Sequence, residues 1–414
     1  MGNLESNNLS KLFFIPSFYG SCTWGIWLTL YLLELLRVDD CSYLALSIFI
    51  FIECMFVASL LISFKYYDMQ LSPDLCGTTD YEITRRKYRS YGLLLLHVAG
   101  YAGIVKYVMD FSRNMGGLPA FFFALINESY AVRLEAELSS SIGFQLSYFG
   151  WIAIGLTLYF YKKYKISRWW LLLAFVQFLG NLMFIDRTRP IWIGFTAVLM
   201  ILPTIQKIDF KKTIRWMAVA VGLMGVIFWA IASWSGKLSY KAYDEKTILP
   251  GITQEIYIYG VSGFAYFNRM LEENEDISYR PLRIIYPIQK FLAILDLVEE
   301  PPSRTHDIYY EVPFTTNAGS FLEPFYRDGG LIFVFWGIII YSFGIDALAK
   351  VLLKVNSPLA LYGWSNLCFV SFISFYNPKL EAFPTWIFLG MGLSTLVFSA
   401  FVPKYRAKPF NDAA

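Results

Sequence analysis

The sequence predicts an all-α protein that crosses a membrane about ten times. Of its 414 residues, 56% are hydrophobic and only 16% are charged, whereas a soluble protein usually carries about 25% charged residues. The apolar residues also fall in runs of roughly 15–25, the length that spans a hydrocarbon core about 30 Å thick. Composition and run length together exclude an ordinary soluble enzyme.

Ten apolar runs define the predicted spans, with a long polar segment between the seventh and the eighth. Residues 1–234 hold the first seven spans, and residues 331–414 hold the last three and a short tail. The spans are Leu12–Leu36, Tyr43–Phe64, Tyr91–Phe111, Ile142–Tyr161, Trp169–Ile185, Ile191–Ile205, Trp216–Trp234, Leu331–Leu352, Leu359–Tyr376 and Phe383–Val402. The first run is too long for the apolar part of a signal peptide, so we expect it to remain as a span.

Lys and Arg cluster in every second connection between spans. They follow spans two, four, six and eight and recur in the C-terminal tail. The set comprises Lys65, Arg85, Arg86, Lys87, Arg89, Lys162, Lys163, Lys165, Arg168, Lys207, Lys211, Lys212, Arg215, Lys350, Lys354, Lys404, Arg406 and Lys408. Because cytoplasmic loops carry an excess of Lys and Arg, both termini are predicted to be cytoplasmic.

The segment 235–330 is therefore predicted to form a folded, helical cap on the outer side of the membrane. Residues 235–328 contain nine Lys and Arg against fourteen Asp and Glu, a balance that argues against nucleic acid or anionic lipid as the partner of this cap. The apolar stretches Ile256–Phe267 and Leu282–Leu297 predict short helices that lie on the membrane surface or dip into it. No metal-ligand spacing is present in the sequence, so neither a metal nor another cofactor is expected.

Three outer segments concentrate polar residues beside the ends of spans. The first is the turn between spans five and six, which carries Asp186, Arg187 and Arg189. Guanidinium groups there could form bidentate hydrogen bonds to a phosphate or pyrophosphate. The alternative is that these Arg residues anchor the helix ends to the lipid headgroups.

The second segment carries Arg280 and Arg283, three residues apart, with Lys290 further on. Residues with this spacing share one face of a helix, and Pro281 suits the first turn of such a helix. The two Arg residues could contact a second anion, or they could simply form the solvated face of a surface helix.

The third segment runs from residue 304 to residue 330, at the mouth of span eight. Its polar residues are Arg304, His306, Asp307, Glu311, Asn317, Glu323, Tyr326, Arg327 and Asp328. A histidine with an ordinary pKa near 6.5 could accept a proton from a hydroxyl group, although a lone loop histidine is more often a polar surface group. Within the spans, Glu53, His97, Lys106 and Asp346 also need an explanation, because charge is costly there.

The stretch T-N-A-G-S-F-L-E-P-F-Y-R-D-G-G, residues 316–330, resembles a motif of the oligosaccharide repeat-unit polymerases, also called Wzy-type O-antigen polymerases. That motif contains an Asn, is rich in aromatic residues and ends in Asp-Phe-Gly; here Gly329 replaces the aromatic residue. Tyr279–Leu297 is similar to the Arg-Pro helix that precedes the motif, and Arg187 with Arg189 fits an Arg-containing turn of the family. The opening I-P-S-F-Y-G-S-C-T-W-G-I-W is similar to the family's first span.

This resemblance implies a GT-C-like glycosyltransferase in the bacterial inner membrane, with its active site facing the periplasm. Such an enzyme moves a growing glycan from undecaprenyl pyrophosphate onto a fresh lipid-linked repeat unit, without a metal. Its partners would be the lipid-linked donor and acceptor, membrane lipids and a chain-length regulator, and no nucleic acid. The implied catalytic residues are His306, Arg327, Glu323 and Asp328, with His306 the first choice as base. The implied substrate-binding residues are Arg187, Arg189, Arg280, Arg283, Arg304, Asn317 and Tyr326.

Two other functions stay open at this point. An O-antigen ligase, which moves a finished glycan to lipid A core, would show the same long outer loop and outer Arg residues; the 316–330 motif favours the polymerase. A lipid-linked oligosaccharide flippase would be expected to have more spans, a cationic central cavity and no folded cap. The polymer itself could be O-antigen, capsule or another surface polysaccharide.

Overall fold

The chain folds into a helical bundle with one very short strand pair. A computed structural model describes residues 9–35, 40–66, 80–127, 142–184, 186, 188–205, 210–234, 251–273, 277–301, 309–312, 315–355 and 357–401. The helices are α1 (Pro16–Leu32), α2 (Tyr43–Tyr66), α3 (Asp80–Asn114), α4 (Leu118–Asn127), α5 (Ile142–Tyr164), α6 (Arg168–Leu182), α7 (Thr188–Ile201), α8 (Phe210–Trp234), α9 (Gly251–Glu272), α10 (Tyr286–Ile294), α11 (Leu322–Ile339), α12 (Ile345–Lys354), α13 (Pro358–Ile373) and α14 (Phe383–Phe401). Strands β1 (Tyr310–Glu311) and β2 (Thr315–Thr316) pair antiparallel. A π-helical turn, Ile340–Gly344, joins α11 to α12.

Each predicted apolar run lies largely within a helix, so the all-helical prediction is confirmed. Within the described part of the chain, four segments are long and apolar enough to cross a membrane, namely Tyr43–Tyr66, Tyr91–Asn114, Ile142–Tyr164 and Leu322–Lys354. Shorter apolar helices accompany them; α7, with 14 residues, rises only about 21 Å. These are the features of a helical membrane protein, while the count of ten spans and the side of each loop stay predictions.

Helices α3 and α5 cross at very close range because glycines face each other. A Cβ added to Gly100 would lie 2.5 Å from the Cα of Gly150, a distance that real side chains do not reach. Small residues at such a crossing let two backbones approach closely, which favours association inside a membrane. Beside the crossing, His97 Nδ1 lies 2.5 Å from Gln177 Oε1 and its Nε2 lies 3.0 Å from Thr157 Oγ1. His97 is therefore a structural link between three helices.

Helix α9 lies inside the bundle and not on its surface. The ring of Phe264 is fully buried and lies 4.9 Å from the ring of Trp24 in α1 and 5.0 Å from that of Phe49 in α2. The Tyr257 hydroxyl donates a hydrogen bond to Leu30 O at 3.0 Å. The apolar stretch Ile256–Phe267 thus forms the predicted helix, but the aromatic side chains of α1 and α2 cover it.

Helix α11 begins nine residues before the predicted start of span eight and is broken by two glycines. Gly329 and Gly330 have non-helical backbone angles, and Gly330 adopts φ 62° and ψ −152°, a region that is essentially open to glycine alone. Residues 322–328 consequently form a short helical stretch of their own, which is buried before the span proper begins. This break determines where the polar residues of the 316–330 motif lie.

Helix α10 also starts later than predicted. It begins at Tyr286 with Pro287 in its first turn, so Pro281 is not the first-turn proline. Arg280 and Arg283 lie in the turns that precede the helix, and the prediction that they share a helix face is wrong. The carboxylate of Asp328 fixes the backbone of residues 283 and 284 instead.

Candidate functional site

The structure describes eight of the eleven predicted site residues. These are Arg189, Arg280, Arg283, Asn317, Glu323, Tyr326, Arg327 and Asp328. Arg187, Arg304 and His306 lie outside the described residues, so the catalytic role predicted for His306 stays a prediction. Seven of the eight, from Arg280 to Asp328 in the sequence, fall within the segment 235–330. Arg189 lies apart from them, at the start of α7.

A buried carboxylate, a guanidinium and a tyrosine meet on this short helical stretch. Glu323 and Arg327 are one turn apart, and Arg327 Nε donates to Glu323 Oε1 at 3.2 Å. Tyr266 in α9 donates to the same oxygen at 2.9 Å, and Arg327 Nη2 donates to the Tyr266 hydroxyl at 3.2 Å. The side chains of Arg327 and Glu323 are only 5% and 1% exposed. We call these three residues the Glu323 cluster.

Tyr266 acts in this cluster as a protonated hydrogen-bond donor. Burial raises the pKa of Tyr266, and the neighbouring Glu323 carboxylate raises it further, against the opposing effect of Arg327. The Tyr266 ring also lies 4.7 Å from the ring of Tyr310 in β1. The cluster therefore joins α9, α11 and the strand pair.

Asp328 connects the cap to the kink of α11. Its Oδ2 accepts hydrogen bonds from the backbone N–H groups of Arg283 at 2.7 Å and Ile284 at 2.9 Å, and Arg283 Nη1 lies 3.3 Å from Oδ1. Ser278 N donates to Arg327 O at 2.9 Å. These bonds hold residues 278–284 against the short helical stretch. As a result, the side chain of Arg283 is fixed but still 17% exposed.

Arg280 is the most accessible cation near the Asp328 hydrogen bonds. Its side chain is exposed, and it forms no ion pair with any described residue. Arg280 is thus exposed and Arg283 is partly exposed while paired with Asp328, whereas Arg327 is enclosed. Of the predicted anion-binding residues, these two have the geometry to meet a ligand without rearrangement of the core.

The rest of the 316–330 motif packs against the same cluster. A Cβ added to Gly319 would collide with the Glu323 carboxylate, which explains the glycine at this position. Phe321 N donates to Ser374 O at 2.9 Å, and the buried Tyr326 ring lies 6.0 Å from that of Phe267. Asn317 is half-buried. Tyr326 therefore contributes to packing in this state.

Arg189 occupies a second, separate polar position. It is fully buried, and its Nη1 donates to Ser147 Oγ at 3.0 Å and lies 3.4 Å from Asn181 Oδ1. The guanidinium carbon is 4.0 Å from the ring centre of Phe144 and 3.9 Å from that of Phe184, close enough for cation–π attraction. Arg189 therefore does not extend to the lipid headgroups, because protein surrounds it.

Asp186 and Lys379 complete the polar group around Arg189. Asp186 Oδ2 lies 3.8 Å from Arg189 Nε. Burial raises the pKa of the Asp186 carboxyl, but the charges of Arg189 and Lys379 and two hydrogen bonds from Thr188 outweigh this effect and leave the pKa below its ordinary value. Asp186 is consequently ionised at neutral pH.

Sequence reasoning did not single out Lys379 or Tyr266. Lys379 lies in the short connection between α13 and α14, with its Nζ 5.7 Å from the centre of the Trp192 ring. The next residue, Leu380, donates its N–H to the Tyr341 hydroxyl at 3.4 Å, so this connection also contacts the π-helical turn. The one available signal was a lone Lys in a connection that is predicted to be outside, where Lys is rare.

The described residues include no group of three His, Cys, Asp or Glu side chains that could hold a metal ion. The chain matches no protein-family model, and it has no significant similarity to a curated protein or to a solved structure. A function must therefore be argued from the site itself. What the site offers is accessible guanidinium groups beside a buried, hydrogen-bonded carboxylate at the end of a membrane helix.

Proposed function

We propose that this chain is a membrane glycosyltransferase that polymerises undecaprenyl-pyrophosphate-linked repeat units at the outer face of the bacterial inner membrane. The observation that carries the proposal is a pair of arginines beside the kink of α11, where its apolar part begins: Arg280 is exposed, and Arg283 is partly exposed and held by Asp328. A lipid-linked pyrophosphate places its charge at that level, just outside the hydrocarbon core. Fixed guanidinium groups bind such an anion bidentately.

In this proposal the two Arg residues stabilise the leaving group. A hydroxyl of the acceptor sugar attacks the anomeric carbon of the donor, and the bond to the pyrophosphate oxygen breaks with its electron pair. Donors that are already in place where that negative charge develops lower the barrier without reorganisation. The hydroxyl proton needs an acceptor, for which His306, Glu323 and Asp328 remain the candidates.

Two of these candidates, Asp328 and Glu323, already accept hydrogen bonds from neighbouring residues. Asp328 already accepts three hydrogen bonds from residues 283 and 284, and Glu323 accepts from Tyr266 and Arg327. Both carboxylates are already occupied by these donors and therefore suit positioning better than proton transfer, so His306 remains the preferred base in the proposal.

Deletion of the gene in the native host tests the polymerase directly. We expect surface lipid that carries a single repeat unit, because export and ligation would continue while polymerisation stops. Surface lipid with no repeat unit at all would indicate a ligase or a flippase and would contradict the proposal.

Substitution of the accessible cations tests the site. In the deletion strain, the Arg280→Ala/Arg283→Ala variant should restore few or no long chains at normal membrane abundance. Arg269→Ala is the matched control, because Arg269 is also an exposed cap arginine but pairs with Glu273, and it should restore the full ladder. A full ladder from the double variant would remove these residues from the mechanism.

The predicted side of the cap can be measured independently. Tyr279 is 75% exposed, so Tyr279→Cys in a chain whose native cysteines are replaced by Ser should react with an impermeant maleimide in intact spheroplasts. Reaction only after lysis would place the site in the cytosol and exclude a periplasmic polymerase.

A further inference from the structure

Asp346 lies in α12, directly after the π-helical turn, and is only 3% exposed. Four donors surround its carboxyl group. Its Oδ1 accepts from Ser17 N at 2.9 Å, and its Oδ2 lies 2.6 Å from Ser17 Oγ, 2.7 Å from Ser59 Oγ and 2.9 Å from Ser63 Oγ. The carboxyl group therefore links α12 to α1 and α2.

The bond to Ser17 N explains part of this arrangement. The first N–H groups of a helix lack partners within the helix, and the residue before α1, Ile15, provides no side-chain acceptor. Asp346 supplies the acceptor from a distant part of the sequence. This contact alone would be a structural cap.

The number of hydrogens indicates a further role. Ser59 Oγ lies 2.7 Å from Asp346 Oδ2 and also 3.0 Å from Ser342 O, a carbonyl of the π-helical turn. A hydroxyl has one hydrogen to donate, so it cannot serve both acceptors. The cluster thus has five contacts of hydrogen-bond length but only four hydrogens from Ser17, Ser59 and Ser63.

A proton on Asp346 supplies the missing hydrogen. If Oδ2 carries it and donates to Ser59 Oγ, then Ser59 donates to Ser342 O, and every contact contains one hydrogen. The distances of 2.6–2.9 Å around Oδ2 are ordinary for O–H···O bonds. The hydroxyl oxygens therefore contact Oδ2 directly, with no space for a metal ion between them.

The charges nearby agree with this count. No Lys, Arg or His in the described ranges forms an ion pair with Asp346, and Lys350, one turn further along α12, instead donates to Tyr66 O. The titratable neighbours are the uncharged Cys368 thiol of α13 and, beyond it, Tyr19 of α1. An ionised carboxylate inside a spanning helix costs about 2.5–3.5 kcal/mol on insertion scales.

We propose that Asp346 is a proton-binding site that holds the π-helical turn to α1 and α2. Loss of the proton leaves Ser342 O or Asp346 without its hydroxyl donor and places a charge where three helices meet. π-helical turns occur frequently at functional sites, and this turn carries Tyr341, whose ring stacks 4.1 Å from that of Phe321 at the start of α11. Through Tyr341, the π-helical turn next to Asp346 therefore contacts the residue that precedes α11.

Infrared difference spectroscopy of the purified protein in lipid tests this proposal and does not depend on the glycan chemistry. At neutral pH, the wild-type protein minus Asp346→Asn should show the C=O band of a protonated carboxyl, shifted to lower wavenumber in deuterated water. The Asn side chain can accept from Ser17 and donate to Ser59, so this variant should keep the thermal stability of the wild type. Glu53→Gln, the matched control in α2, should leave the assigned band unchanged.

The opposite result would overturn the proposal. A wild-type spectrum without that band would show an ionised Asp346 that the Ser17, Ser59 and Ser63 donors stabilise. If the variant fails to fold, carbon-13-labelled aspartate in the wild-type protein reports the same protonated band without any substitution.

Discussion

Removal of Glu323 should destabilise the protein strongly, because it breaks a buried ion pair with the Arg327 guanidinium. Arg327 is 5% exposed and its Nε donates to Glu323 Oε1 at 3.2 Å. Loss of one partner of a buried ion pair typically costs about 3–5 kcal/mol. We expect Glu323→Ala to lower the free energy of unfolding by about that amount.

An exposed pair with the same spacing provides the control. Arg269 and Glu273 are also four residues apart and are closer, at 2.8 Å between Nε and Oε1, but both side chains are 41% exposed. Exposed pairs contribute about 1 kcal/mol or less because water and salt screen them. Glu273→Ala should therefore cost far less than Glu323→Ala, although its ion pair is shorter.

Reversible unfolding in mixed detergent micelles, followed by tryptophan fluorescence, measures both variants. The double variant Glu323→Leu/Arg327→Leu extends the test, because replacement of a buried pair by apolar residues is often nearly neutral; it should be more stable than Glu323→Ala. Equal costs for Glu323→Ala and Glu273→Ala would refute the reasoning that burial, and not distance, decides the strength of these pairs. A double variant less stable than Glu323→Ala would refute it as well.

Three further substitutions test separate features. Gly100→Ala should cost about 1–3 kcal/mol through overpacking against Gly150, whereas Gly92→Ala, with open space around it, should be neutral or stabilising; both are read from unfolding curves, and equal effects would contradict the close crossing. Gly330→Ala should cost about 1–3 kcal/mol because of its backbone strain, and unchanged stability would mean that the kink is not imposed. Since the folded-state pKa of Asp186 is lowered, its stabilisation is complete above the ordinary carboxyl pKa and lost as pH falls through the lowered value. Asp186→Asn should remove this acid dependence, and parallel pH curves for the two proteins would argue against it.

Hydropathy located most helices of this fold, although it did not predict α4. Every predicted apolar run lies largely within a helix, because the length and composition of a membrane helix are recorded locally in the sequence. Hydropathy could not predict that α9 packs against other helices of the bundle and not against the membrane surface. The aromatic residues of Ile256–Phe267 would suit a membrane surface equally well, and only their contacts with α1 and α2 place them inside.

The site was predictable only in part, and for a related reason. Gly329 and Gly330 were interpreted as the end of a loop, whereas they break a helix that has already begun at Leu322. The 316–330 motif indicated Glu323 and Arg327, but their partner Tyr266 is about 60 residues away in the sequence. No local periodicity predicts such a contact. The sequence of the turn that carries Arg189 likewise did not predict that this residue is buried.

Reconstitution is the most direct test of the proposed polymerase. The purified protein in proteoliposomes, supplied only with an undecaprenyl-pyrophosphate-linked repeat unit, should produce a series of longer lipid-linked glycans that differ by one whole repeat unit. Each elongation step should release one undecaprenyl pyrophosphate. Unchanged starting lipid, or elongation that requires a nucleotide sugar, would contradict the account.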